Sequence, residues 1–324
     1  MLTLYRDEAG TVRTSTDPDL PGEVIWLDLF DPTPEEREFV EKRARVRVPD
    51  RDALSEIEAS SRLIAEEGVL YLSTPIVGKN DAQGPMLSPV GFVLAPKLLV
   101  TIRYAELSAF DAVVETVRKD KSLASALGVF TALLEAVVDR GADVLESLGA
   151  ELDRLSRQAF RGDPSNPRHA VRSTQRLRLT LTRIGAIGDR VSMARDVLLG
   201  VGRIAAFTQE VGREWIPAEF QNRLAAVSRD IASLNDYEAH VSNKTQFLLD
   251  AVLGYISIEQ NDVFKVLTIA SVVGIPPTIM VGVWGMNFKH MPELDWLWGY
   301  PLSLVVIVLS GAIPLLWFKR RGWF

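Results

Sequence analysis

The chain has 324 residues, a net charge of −6 and no cysteine. That length exceeds the ~100–200 residues of one ordinary domain, and the absence of cysteine excludes disulfides, thiolate zinc sites and cysteine nucleophiles. Charge is unevenly spread: beyond Lys265 only Lys289, Glu293, Asp295, Lys319, Arg320 and Arg321 are charged, so residues 1–265 carry −8, which argues against nucleic acid as a partner and suits a surface that attracts cations.

The chain opens Met1-Leu2-Thr3-Leu4-Tyr5-Arg6-Asp7, without a basic or apolar leader, so no cleaved signal is expected and the first domain is expected in the cytosol. Over the first hundred residues, Val24–Leu29, Val69–Pro75, Val90–Leu94 and Leu98–Arg103 read as strands, the last two joined by an Ala95-Pro96-Lys97 turn. Pro34–Arg45 reads as a helix with an acidic first turn, and Pro49–Ile57 as a shorter one. Together they predict a mixed sheet with helices.

After about Leu107 the strand pattern stops. Leu123, Leu127, Phe130, Leu134, Val137, Val144, Leu148, Leu152 and Leu155 recur mostly at three-, four- and seven-residue steps, the apolar stripe of one long helix. Gly162-Asp163-Pro164-Ser165-Asn166-Pro167 ends it. A second helix is expected from His169 to about Leu199, packed back on the first. A third starts near Pro217 and meets no breaker before Pro276, a rod of roughly 100 Å at the helical rise. Rods of that length need partners along them, which points to an oligomer.

Two uncharged runs follow, Val266–Phe288 and Trp296–Phe318, each long enough to cross ~30 Å of hydrocarbon as a helix. Lys265 precedes the first and Lys319-Arg320-Arg321 follows the second, so the positive-inside rule places both termini in the cytoplasm. Trp284, Trp296, Trp298 and Tyr300 gather at the outer end, and Trp317, Phe318, Trp323 and Phe324 at the inner end, as interfacial anchors.

At the outer end of the first run stands Gly285-Met286-Asn287, followed by Met291-Pro292-Glu293-Leu294. With Ile258-Glu259-Gln260-Asn261, Pro276-Pro277-Thr278, Gly299-Tyr300-Pro301 and Phe318-Lys319-Arg320, this resembles the CorA magnesium-transporter family over about the last 70 residues; upstream the likeness is one of layout. The resemblance implies an α+β membrane protein: an N-terminal α/β cytoplasmic domain, a long helical stalk and two C-terminal transmembrane helices, assembled as a homopentameric funnel in the bacterial inner membrane. The expected division is 1–105 for the α/β domain, 106–265 for the helical hairpin and stalk, and 266–288 for the first transmembrane helix, which lines the pore. A periplasmic loop at 289–295, a second transmembrane helix at 296–318 and a basic tail at 319–324 complete it.

The implied function is a Mg²⁺ channel, open also to Co²⁺ and Ni²⁺ and closed by cytosolic Mg²⁺, with no enzymatic activity and no organic cofactor. Mg²⁺ gives up its octahedral waters reluctantly, so neutral oxygens that bond those waters can form a filter; Gly285, Met286 and Asn287 carry that role by resemblance. Asn261, Leu267, Ile275 and Thr278 would face the pore, with Asp250 at its cytoplasmic mouth. Asp250 and Asn261 lie eleven residues apart and share a helix face; Leu267 and Thr278 form a second row about 120° away, which calls for a bend that Pro276-Pro277 can supply. Glu293 and Asp295 in the outer loop would gather cations, offset by Lys289 and His290. Asp230 is the candidate regulatory ligand.

Two rival readings are a zinc transporter of the related branch, disfavoured by Met291-Pro292-Glu293-Leu294, and a membrane-anchored binding protein that conducts nothing. Gly200-Val201-Gly202-Arg203-Ile204-Ala205 imitates a dinucleotide fingerprint but follows a helix instead of a strand. His169, His240 and His290 are too scattered to prefigure a zinc site.

The topology is directly testable because the chain lacks cysteine. Single cysteines at 1–265 and in the tail should be shielded from membrane-impermeant thiol reagents added outside, and only about 287–298 should react; labelling at Ser122→Cys from outside would reverse the orientation.

Overall fold

The computed structural model describes residues 1–8, 11–15, 23–78, 84–160, 170–286, 291 and 296–323. The chain divides into two compact units, Met1–Arg161 with Thr182–Leu248, and Gly162–Leu181 with Leu249–Phe324.

The first unit is built on a sheet of seven strands: β1 (Leu2–Glu8), β2 (Thr11–Ser15), β3 (Glu23–Phe30), β4 (Leu63–Glu66), β5 (Val69–Gly78), β6 (Met86–Leu94) and β7 (Leu99–Arg103). Their order is β2-β1-β3-β7-β6-β5-β4. Among the described residues only β3 and β7 run parallel, with Asp28 opposite Thr101 and Phe30 opposite Arg103. Strands β1, β2 and β4 add to the four expected from sequence. β4 and β5 turn through Glu67 and Gly68, both at positive φ (50° and 80°). That is the geometry a two-residue hairpin requires, but Asn or Asp usually stands where this chain has glutamate, so the sequence signal was weak.

Helix α1 (Pro34–Ala44) begins on a capping box: Glu36 N donates to Thr33 Oγ1 (3.2 Å) and Thr33 N to Glu36 Oε2 (3.1 Å). Helix α2 is confined to Arg51–Ser55, because Asp50 caps it by accepting from Ala53 N, and α3 covers Ala59–Arg62. The helices α4 (Ser108–Lys119) and α5 (Ala126–Phe160) follow, then α6 (Ala170–Val211) and α7 (Ala218–Trp284).

Helix α6 runs twelve residues past the expected end at Leu199. Gly200 and Gly202 do not break it, because Gly200 is where the helix meets the sheet: a Cβ there would overlap Thr74 Oγ1. The glycine pair is a packing contact.

Strand alternation sorts the core onto two faces. Trp26, Leu70, Leu72, Phe92 and Leu94 pack with Phe110, Phe130, Leu133, Leu198, Ile204 and Ile231 from α4–α7. Leu27, Leu29, Tyr71, Val93 and Val100 pack with Val40, Val48 and Leu54 from the α1–α2 segment. Residues on both sides of position 105 thus share one core.

Polar groups are buried at the parallel strand pair. Trp26 Nε1 donates to Thr101 Oγ1 (2.9 Å), and that hydroxyl donates to Asp28 Oδ1 (2.7 Å). Arg103 Nε and Nη2 each reach Asp28 Oδ2 at 3.0 Å, and the guanidinium lies over the Phe30 and Phe110 rings. Tyr5 stacks on Trp26 at 4.1 Å; burial, then the Asp28 charge, pushes its hydroxyl up to about 12, so it stays neutral.

Because Asp28 is 3% and Arg103 15% exposed, removing one partner leaves an uncompensated buried charge. Asp28→Ala should cost about 3–5 kcal/mol, and Arg103→Met in the same chain should recover much of it. Denaturant unfolding of the full-length protein in detergent measures both; a loss below ~1 kcal/mol, the range of an exposed pair, would contradict this account.

Candidate functional site

The second unit holds two helices long and apolar enough to cross a membrane: the end of α7, and α8 (Gly299–Arg320). Val263, Phe264, Val266, Leu267, Val305 and Val308 are each more than half exposed on the single chain, a surface that only lipid or further protein can cover. At the C-terminal end of α8, Phe318 is buried against Trp317 and Trp323, and the Arg321 guanidinium lies over the Trp317 ring at 4.8 Å.

Pro276 and Pro277 lie inside α7 without ending it. Each lacks an N–H, so the carbonyls one turn back, at Val272 and Val273, lose their helical donors; such a proline costs ~3 kcal/mol in a helix interior, and hydrocarbon supplies no replacement. Two features lie at this break. The Thr278 hydroxyl donates to Gly274 O at 2.8 Å. Gly311 brings the backbone of α8 close: a Cβ on it would stand 3.5 Å from Val273 O and 3.4 Å from Pro277 Cγ. Close approach through a small residue is the usual means by which membrane helices pack.

Ile269, Val273, Pro277, Met280 and Trp284 are among the partly covered positions along this part of α7, together with Ser271 and Pro276. On a regular helix Asp250, Asn261, Leu267, Ile275 and Thr278 all fall within a sector of about 120° opposite Val273. All five are exposed on the single chain, Leu267 at 61% and Ile275 at 54%. On that regular helix the two rows stand at the two edges of the sector.

α7 ends at Trp284; Gly285 N still donates to Val281 O at 2.9 Å, and Met286 N to Val283 O at 3.4 Å. Gly285 and Met286 are exposed there. Asn287, Glu293 and Asp295 lie outside the described residues, as do Lys289, His290 and His169.

Asp230 belongs to the first unit, exposed on α7. It is near enough to act on Asp139 of α5, whose carboxyl is held above the ordinary carboxylate range by partial burial, then by repulsion from Glu135, Asp143 and Asp230. Glu135 is already committed to Arg223, with Arg223 Nε at 2.8 Å from its Oε1. The four-residue spacing of Glu135, Asp139 and Asp143 put them on one helix face, a legible signal, but which part of α7 faces them was not. Among the described residues of the single chain no three acidic or histidine side chains are placed to hold a metal.

An α/β unit and two apolar helices of lipid-spanning length toward the C-terminus define a class of membrane protein with two spans. The profile of the CorA-like Mg2+ transporter protein family matches residues 21–320, and this chain belongs to that family. It is 32% identical over 300 residues to the magnesium transport protein CorA of Pasteurella multocida (92% of each chain), and 30% identical over 302 residues to that of Salmonella typhimurium (93% of this chain, 92% of the relative). Its fold matches the complete CorA magnesium transporter of Methanocaldococcus jannaschii with a TM-score of 0.77 at 18% identity, over 100% of this chain and 99% of that one. The full-length CmaX protein matches at 0.72 and 17%, over 100% and 98%.

The Gly311 contact has a graded consequence. Gly311→Ala places a methyl group at ordinary contact distance and should leave stability near wild type, whereas Gly311→Leu must push α8 off α7 at about 1–3 kcal/mol. Thermal unfolding in detergent checks the order; equal behaviour of the two variants would remove the contact as a constraint.

Proposed function

We propose that this protein is a homopentameric channel that admits Mg²⁺ across the bacterial inner membrane, with both termini in the cytoplasm and Co²⁺ and Ni²⁺ as further cargo. The observation that carries this reading is the continuity of α7: one helix leaves the acidic first unit, crosses the uncharged span and stops at Gly285-Met286, with a candidate row on its face away from α8. The magnesium transport named in the family and in the curated relatives supports the choice of ion.

In the proposed assembly five α7 helices surround the axis. Asp250 lies at the cytoplasmic mouth, and Asn261, Leu267, Ile275 and Thr278 line the pore. The Gly285 and Met286 carbonyls and the Asn287 amides accept hydrogen bonds from the waters of the hydrated ion. Neutral acceptors suit a cation that sheds water reluctantly, since they hold it without trapping it. Glu293 and Asp295 raise the local cation concentration outside. Asp230 is a ligand of inhibitory Mg²⁺ between subunits; an ion that binds the closed state preferentially shifts the population toward it.

Mg²⁺ uptake into proteoliposomes tests the filter and the sensor together. Asn287→Ala removes five amide acceptors at once, so transport should collapse while gel filtration still shows the assembled oligomer; near-normal uptake would place the filter elsewhere. Asp230→Asn should conduct at internal Mg²⁺ levels that shut the unaltered channel, and unchanged inhibition would remove Asp230 from the sensor.

A further inference from the structure

A cavity of about 420 Å³ opens in the first unit between the α1–α3 segment and the sheet. Its walls include Arg37, Arg47, Arg62, Ser61, Tyr71 and Ser73. Ser73 is only 5% exposed and its Oγ has no hydrogen-bond partner. It stands opposite Gly91 in the β5–β6 register, and a Cβ on Gly91 would come within 2.7 Å of Leu54 Cδ2. The face carrying Ser73 is therefore the one beneath α2, and Ser73 borders the cavity with its Oγ covered.

The three arginines are unneutralised: among the described residues none of them forms an ion pair. Two are held in place. Arg47 lies over the Tyr71 ring at 5.1 Å, while its backbone N donates to the Tyr71 hydroxyl at 3.3 Å; Arg62 Nε donates to Glu56 O, leaving the outer nitrogens of its fork. Asp50 and Glu56 also line the cavity, so three arginines stand against two carboxylates and one positive charge is left over; the Asp50 carboxylate accepts from Ala53 N at the start of α2, and Glu56 is exposed.

A buried hydroxyl without a partner is unfavourable until a hydrogen-bonding group lies beside it. Guanidinium forks and hydroxyls together match the oxygens of a tetrahedral oxyanion. We propose that this cavity binds a phosphoryl group, of inorganic phosphate or of a small phosphorylated molecule, with Arg47 and Arg62 neutralising it and the Ser73 hydroxyl donating to one oxygen. This proposal does not depend on the transport reading.

The probes are inorganic phosphate and pyrophosphate, titrated into the full-length protein in detergent at constant ionic strength, with chloride as control and both thermal stability and heat of binding as readouts. Saturable binding is expected, weakened about tenfold by Arg62→Gln and by Arg47→Gln, the loss of one charge-assisted contact. Ser73→Ala discriminates further: without phosphate it should not lower stability, because it deletes an unpartnered hydroxyl, yet it should weaken phosphate binding several-fold. Nanodiscs of phosphatidylcholine with and without phosphatidylglycerol separate the sources: Arg62-dependent stabilisation by the anionic lipid in phosphate-free buffer assigns the group to a headgroup, and stabilisation by soluble phosphate alone assigns it to solution. Absence of saturable binding, or an affinity in the Arg62→Gln and Ser73→Ala proteins unchanged from that of the unaltered protein, would overturn the proposal and leave the cavity to water.

Discussion

Hydrocarbon offers no partner to a peptide N–H or C=O, and the second unit is organised around that fact. Spanning segments must satisfy their own backbone, so both are helices. A helix can be interrupted there only where another group lies against the gap. Pro276 and Pro277 remove the helical donors of Val272 O and Val273 O, and α8 passes close to Val273 O at Gly311, where a side chain would stand in the way.

A charged side chain inside the span would be expensive, and both apolar runs are free of charge. Charge is kept outside the bilayer, as the surplus of acids in residues 1–265 and the basic cluster at 319–321. Within the first unit, the buried Asp28–Arg103 pair lies where the parallel strands β3 and β7 meet. Its cost is offset by the Thr101 and Trp26 hydrogen bonds, which also tie β3 and β7 in one register.

Much of this architecture is determined by sequence alone. Charge-free runs of membrane length, the alternation in β3 and β5–β7, and the acidic start of α1 are local patterns, and local patterns survive folding because they express the chain's own periodicity. The family resemblance was legible for a related reason: Gly285-Met286-Asn287 and its flanks are contiguous.

What tertiary structure alone decided is whatever depends on a distant partner. Strand β4 was hidden because Glu67-Gly68 is an unusual hairpin turn, and the true end of α6 was hidden because Gly200 reads as a breaker until Thr74 is placed against it. The approach of Asp230 to Asp139, and the gathering of Arg37, Arg47, Arg62 and Ser73 around one cavity, join segments far apart in the chain. No periodicity encodes such meetings, because they follow from which faces of which helices the sheet and its core bring together.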